Sequence, residues 1–205
     1  MNNQYSIAIH VCNKMRANVG RFPAETGGLL GSKKENVIDC FCFDKWAKTT
    51  GSTFYYDVEK MSEVYRIWRN KGISLVGVIH SHPYGITSPS YHDISSALLH
   101  MNFLETKRFF MPIVQPSSDG LFTLYFYTVI KDENQKLLIL NLNCILKAKK
   151  DGGYSRQQGY FKPKVYSIEE LNMYLNGFNR DSSSEAVPIT DSTKTERGRL
   201  VNEFV

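Results

Sequence analysis

No apolar run in the 205-residue chain approaches the ~18 residues that a membrane span needs, so membrane insertion is not expected. The N-terminal segment, MNNQYSIAIHVCNKM, lacks a charged stretch followed by an apolar one and does not read as a secretory signal; a cytoplasmic location is the expectation. Cysteine is scarce, with only Cys12, Cys40, Cys42 and Cys144. In a reducing compartment four such residues do not make a disulfide framework. Cys40 and Cys42 share one strand face by their spacing, but no partner Cys-x-x-Cys pair completes a metal site, so packing is their expected role. An excess of one charge is also missing. The net charge of +5 is spread thinly until the C-terminal third, without the basic stripe of a nucleic-acid binder. Nucleic acid is not an expected partner.

What is present is a globular composition, 42% hydrophobic and 13% aromatic. Ile7, Val11, Met15 and Val19 recur every four residues and predict a helix ended by Gly20 and Pro23. Short strands are expected at Gly27–Gly31, Asn36–Phe43 and Phe54–Tyr56. Met61, Val64, Tyr65 and Trp68 predict a helix over Val58–Lys71, closed by Gly72. Ser74–Ile79 is a near-continuous apolar run, as in a strand buried on both faces. A helix from Ser90 to Leu104 should follow, then strands at Arg108–Val114, Leu121–Ile130 and Lys136–Leu146, the last two joined by a turn at Asp132–Asn134. The alternation predicts an α/β fold in which one curved mixed sheet is layered with helices.

The character changes after Lys147. Residues 1–147 read as the folded domain, and 148–180 as a basic and aromatic extension whose short helix starts at the capping signature Ser167-Ile168-Glu169-Glu170. In that extension Lys149, Lys150, Arg156, Lys162 and Lys164 alternate with Tyr154, Tyr160, Phe161 and Tyr166, a mixture that suits either docking of an acidic partner or packing back on the domain. Residues 181–205 are polar, without apolar period, and read as a flexible tail.

The segment IHSHPYGITSPSYHD, Ile79–Asp93, carries the chemistry. His80 and His82 are two apart at the end of a strand, so both rings leave one face and can converge on one ion. Asp93 lies in the first turn of the next helix. Two imidazoles and a carboxylate suit Zn²⁺, and three protein ligands leave the fourth tetrahedral position open, as in catalytic sites. Taken singly, each piece has a plainer explanation: His-x-His as a structural pair, and Ser90-x-x-Asp93 as a capping box. His10, His92 and His100 are not expected to be ligands.

The joint spacing His-x-His-x7-Ser-x2-Asp, with Pro83 directly after the second His, resembles the signature of the JAMM (JAB, or MPN+) metallopeptidases. Glu25, before the Gly-rich strand in FPAETGGLLGS, matches that family's upstream Glu, and the likeness covers roughly residues 5–147. The resemblance implies an MPN/JAB fold with cytidine-deaminase-like layering, and Zn²⁺ on His80, His82 and Asp93. It also implies Glu25 as the proton carrier of hydrolysis and Ser90 as donor to the oxyanion. The implied substrate is an amide or isopeptide bond after the C-terminal glycine of ubiquitin or a ubiquitin-like protein. Small size and short insertions look like the prokaryotic branch, whose members accompany activating and conjugating enzymes in modification or antiphage operons. Alternatives are a peptidase of sulfur-carrier proteins or small peptides, a RadC-like relative, and a non-catalytic MPN scaffold. A nucleotide deaminase would need a Pro-Cys-x-x-Cys segment, which the chain lacks.

Overall fold

The computed structural model describes residues 6–19, 25–34, 37–49, 54–116, 122–134, 136–148, 154–157, 164–167, 169, 171 and 173. A short strand β1 (Ser6–Ile7) precedes helix α1 (Ile9–Asn18), and strands β2 (Gly27–Ser32), β3 (Val37–Ile38), β4 (Cys40–Phe43), β5 (Lys48–Thr49) and β6 (Phe54–Tyr55) follow. Next come α2 (Val58–Asn70), β7 (Ser74–Ser81), α3 (Tyr91–Phe103), β8 (Arg108–Phe110), β9 (Ile113–Pro116), β10 (Phe122–Lys131), β11 (Leu137–Ala148), β12 (Tyr154–Gln157) and β13 (Lys164–Tyr166). Gly20 and Pro23, read as the stop of the first helix, lie outside the described residues, as does the tail 181–205.

The main sheet runs β12-β11-β10-β8-β7-β2-β4, with β9 paired to β10 and β7 and β13 paired to β11. It is mixed, because β7 lies antiparallel to β2 but parallel to β8 and β9. Strand alternation divides its apolar residues between two cores. Val78 and Ile113 face α2 and α3, joining Met61, Trp68, Ile94, Leu98 and Met101. Their neighbours Ile79 and Val114 face α1 and meet Val11, Met15 and Val19. The near-continuous apolar run of β7 is thus explained by helices on both of its faces. In α3 the buried Ile94, Ala97, Leu98 and Met101 fall at helical spacing and form one stripe. Among the described residues no helix is long and apolar enough to cross a membrane.

Two expected strands are each divided. Arg108–Val114 becomes β8 and β9 because Pro112 has no N–H to give the ladder. The register against β10 nevertheless runs through, from Phe110 opposite Thr128 to Ile113 opposite Tyr125. Asn36–Phe43 breaks at Asp39 into β3, parallel to β1, and β4, antiparallel to β2. Beyond Lys147 two further described strands join the sheet. β12 and β13 pair antiparallel with the two ends of β11. Leu171, whose N–H bonds Ser167 O at 3.2 Å, is fully buried in the α2/α3 core. Of the short helix read from Ser167, Glu169, Leu171 and Met173 are helical, and the rest lies outside the described residues. The basic and aromatic side chains of 149–166 lie outside them too.

Candidate metal centre

The end of β7 is held from both sides. His82 N–H donates to Val114 O on β9 at 2.9 Å, and His80 N–H reaches the carbonyl of Pro112 at 3.4 Å. Both rings leave the face toward α3, and both residues are buried. Their Nε2 atoms approach to 2.7 Å. Each also meets Asp93, His80 Nε2 at 3.1 Å from Oδ1 and His82 Nε2 at 3.3 Å from Oδ2. Among the described residues these three form the one group of His, Cys, Asp or Glu able to hold a metal, with ligand atoms within 4.8 Å of one another.

Asp93 arrives there because the predicted capping box forms. Ser90 Oγ accepts from Asp93 N–H at 3.2 Å, and Asp93 Oδ2 accepts from Ser90 N–H at 2.6 Å and from its hydroxyl at 2.7 Å. Burial alone would raise the Asp93 pKa, but the charge of His80 and hydrogen bonds from His80, His82 and Ser90 hold it well below the usual carboxylate range. It therefore stays ionised, as a ligand must. Two nitrogens on a tetrahedral Zn²⁺ stand about 3.3 Å apart, so the rings would part by roughly 0.6 Å to admit the ion. The donor set fits. Outer support is uneven, since Ser90 secures Asp93 while the buried His82 Nδ1 has no protein partner.

Glu25 stands just before β2 and is 9% exposed. Burial raises its pKa, partly offset by His80 and His82. The fold brings His80, His82, Asp93 and the capping Ser90 together, and sets Glu25 where it feels the charges of His80, His82 and Asp93.

A family model described as prokaryotic homologs of the JAB domain matches residues 9–132, well over half of the chain. The chain belongs to this family. Similar solved structures include the solution structure of a protein from Desulfitobacterium hafniense, 16% identical over 78% of this chain and 93% of that one, with a TM-score of 0.45. A second is a JAB1/MPN domain protein from Archaeoglobus fulgidus, 19% identical over 77% of this chain and 98% of that one, with a TM-score of 0.34. No curated protein matches the chain.

Around the cluster the JAB domain has further residues whose place the sequence did not reveal. Phe54 stacks parallel to His80 at 6.4 Å between centroids. Gly27 has to be glycine for that approach: a Cβ there would lie 2.5 Å from Ile79 O and 2.7 Å from the Phe54 ring. Tyr56 crosses Phe54 edge-on, and its hydroxyl is buried without a partner. Burial, with Asp93 and Asp44 adding to it, raises the Tyr56 pKa well above its ordinary value. The loop after His82 is pinned by Gln115 of β9, whose amide donates to Pro83 O at 2.7 Å and Ile86 O at 2.8 Å and accepts from Gly85 N–H at 3.2 Å. Ile86 N–H also bonds Pro83 O, and Gly85 has a φ of +88°, which is the type II turn that calls for glycine at its third position. That turn presents Tyr84, two residues after His82, 94% exposed. The aromatic run FYY had read only as a strand, and nothing local in the sequence links Gln115 to a loop some thirty residues earlier. His10 and His100 are taken up by the carbonyls of Asp39 and Ser96, both at 2.8 Å, and neither they nor His92 joins the group.

Proposed function

We propose that this JAB domain is a Zn²⁺-dependent isopeptidase or peptidase that cleaves after the C-terminal glycine of a ubiquitin-like protein, by deconjugation or precursor processing. The supporting observation is the convergence of His80, His82 and Asp93, with the buried Glu25 electrostatically coupled to all three. Zn²⁺ bound there would supply a Lewis acid and make hydroxide available near neutral pH. Glu25, with its pKa raised by burial, takes the proton of the attacking water and returns it to the leaving amine. Ser90 has its hydroxyl on Asp93 and would turn from that carboxylate to serve a developing oxyanion. Tyr84, exposed on the turn after His82, suits an anchor for the polypeptide that enters beside it. Its expected setting is a cytoplasmic modification or antiphage operon that also encodes the activating and conjugating enzymes.

The test pairs binding with turnover. Purified protein should carry about one Zn²⁺ per chain by elemental analysis, and His82→Ala should lose it. Glu25→Gln should keep the metal and the thermal stability, while cleavage of a ubiquitin-like protein fused through its terminal glycine falls on the order of 10² to 10⁴-fold. Cleavage by Glu25→Gln at the wild-type rate would remove Glu25 from the chemistry. Metal-loaded wild type with no activity on any glycine-ended substrate would point to a scaffold.

A further inference from the structure

Ser81 separates the two candidate ligands, and strand alternation sends its side chain to the opposite face of β7. It is fully buried there, on the side of Ile79 and Val114. At such a position an apolar residue would pack without cost, whereas a hydroxyl needs a hydrogen-bond partner. Its partner is Thr26, the residue after Glu25. Thr26 N–H donates to Ser81 Oγ at 2.9 Å, Thr26 Oγ1 lies 3.3 Å from the same oxygen, and Ser81 Oγ reaches Thr26 O at 3.4 Å. Ser81 N–H donates to Thr26 O at 2.8 Å as well.

These bonds fall where the ladder stops. The β2–β7 pairing begins at Gly27 opposite His80; past it Ser81 N–H holds Thr26 O, and the Glu25–Thr26 peptide is reached by the Ser81 hydroxyl. The N–H that donates to Ser81 Oγ belongs to the peptide joining Glu25 to Thr26. One residue of β7 thus faces away from the cluster and grips the peptide from which the Glu25 carboxyl projects.

We propose that Ser81 is a positioning residue for Glu25, its hydroxyl fixing the Glu25–Thr26 peptide against the strand that carries His80 and His82. This rests on Glu25 being the proton carrier of the proposed hydrolysis. A misplacement of about 1 Å in a reacting group costs on the order of a hundredfold in rate, so a loosened peptide is felt at the carboxyl without disturbing the ligands.

Two variants test this in the full-length protein, Ser81→Ala and the near-isosteric Ser81→Cys, which keeps the site filled if the alanine variant folds poorly. The first measurement needs neither metal nor substrate. In the metal-free protein, amide hydrogen exchange at Thr26 should accelerate at least about tenfold, while the amides of Ile79, His82 and α3 keep their wild-type rates. The second is kcat on a glycine-ended fusion substrate, expected to fall about ten- to a hundredfold with KM and Zn²⁺ content unchanged. Unchanged exchange at Thr26 overturns the proposal, because the hydroxyl then holds nothing. Faster exchange with wild-type kcat overturns it too. A loss of kcat that tracks a loss of Zn²⁺ would place the action of Ser81 on the ligands, and would equally count against it. An inactive wild-type protein would defeat the isopeptidase reading, and the exchange measurement alone would then decide whether Ser81 fixes the Glu25 peptide.

Discussion

Asp93 serves two structures with one carboxylate. Oδ1 faces His80, while Oδ2 closes the capping box of α3 and lies within reach of His82. The helix start and the candidate metal centre are therefore one object, and a change at the cap should be read at the metal. Ser90→Ala removes the hydroxyl on both counts. It should cost about 1 kcal/mol of stability as a lost N-cap and weaken Zn²⁺ binding by roughly tenfold as a lost outer partner. Thermal denaturation of the metal-free protein reads the first effect and chelator competition the second. A lower Tm with unchanged zinc affinity would confine Ser90 to capping. At this scale the sequence was legible where geometry follows from spacing. His80 and His82 need only strand alternation to converge, and Asp93 needs only a helix start. Phe54, Tyr56 and Gln115 reach the site through the fold, so no local pattern announced them.

Helices α2 and α3 end in the same way with different residues. In each, the N–H of the second residue past the cap returns to the carbonyl of the last turn: Ile73 to Trp68 at 2.9 Å, and Thr106 to Met101 at 3.0 Å. This Schellman closure puts the intervening residue in the left-handed region. At α2 that residue is Gly72, φ +65°; at α3 it is Glu105, φ +52°. The Gly72 stop was readable in the sequence, and the Glu105 stop was not, because glutamate carries no signal for that conformation. A side chain there is strained by about 1–2 kcal/mol, and glycine gives back part of that gain through the entropy of the unfolded chain. Glu105→Gly should therefore stabilise the protein by about 0.5–1 kcal/mol, measured by urea unfolding with an unchanged m-value. A destabilised variant would mean that the Glu105 side chain contributes more than its backbone costs. The divided strand at Pro112 has a similar logic. Proline withholds an N–H from the ladder, and its carbonyl instead receives the N–H of His80.

On the scale of the whole molecule, the family match ends at residue 132, yet the sheet and one core do not. Read from composition, the domain closes at 147, because the segment that follows is basic, aromatic and contains glycine. Backbone pairing does not depend on any of these, and β12 and β13 hydrogen-bond to both ends of β11. Without them β11 would be a long unpaired edge, an open template for association. Leu171 adds a packing test that is independent of the edge. It is 0% exposed among Leu137, Ile139 and the α2/α3 residues, so Leu171→Ala should cost about 2–5 kcal/mol. That is a large share of the ~5–15 kcal/mol that holds a domain together. Met173, two residues on and 73% exposed, is the control; its alanine variant should stay within about 0.5 kcal/mol of wild type. A chain of residues 1–147 loses both the edge cover and Leu171, and should show a lower Tm and concentration-dependent association by light scattering. If Leu171→Ala is silent in urea unfolding and residues 1–147 stay monomeric with a wild-type Tm, the boundary at 147 stands and the later strands merely lie along the sheet. If both are destabilised, the fold of this JAB domain includes a segment beyond the family match, and any activity assay has to be made on a chain that keeps it.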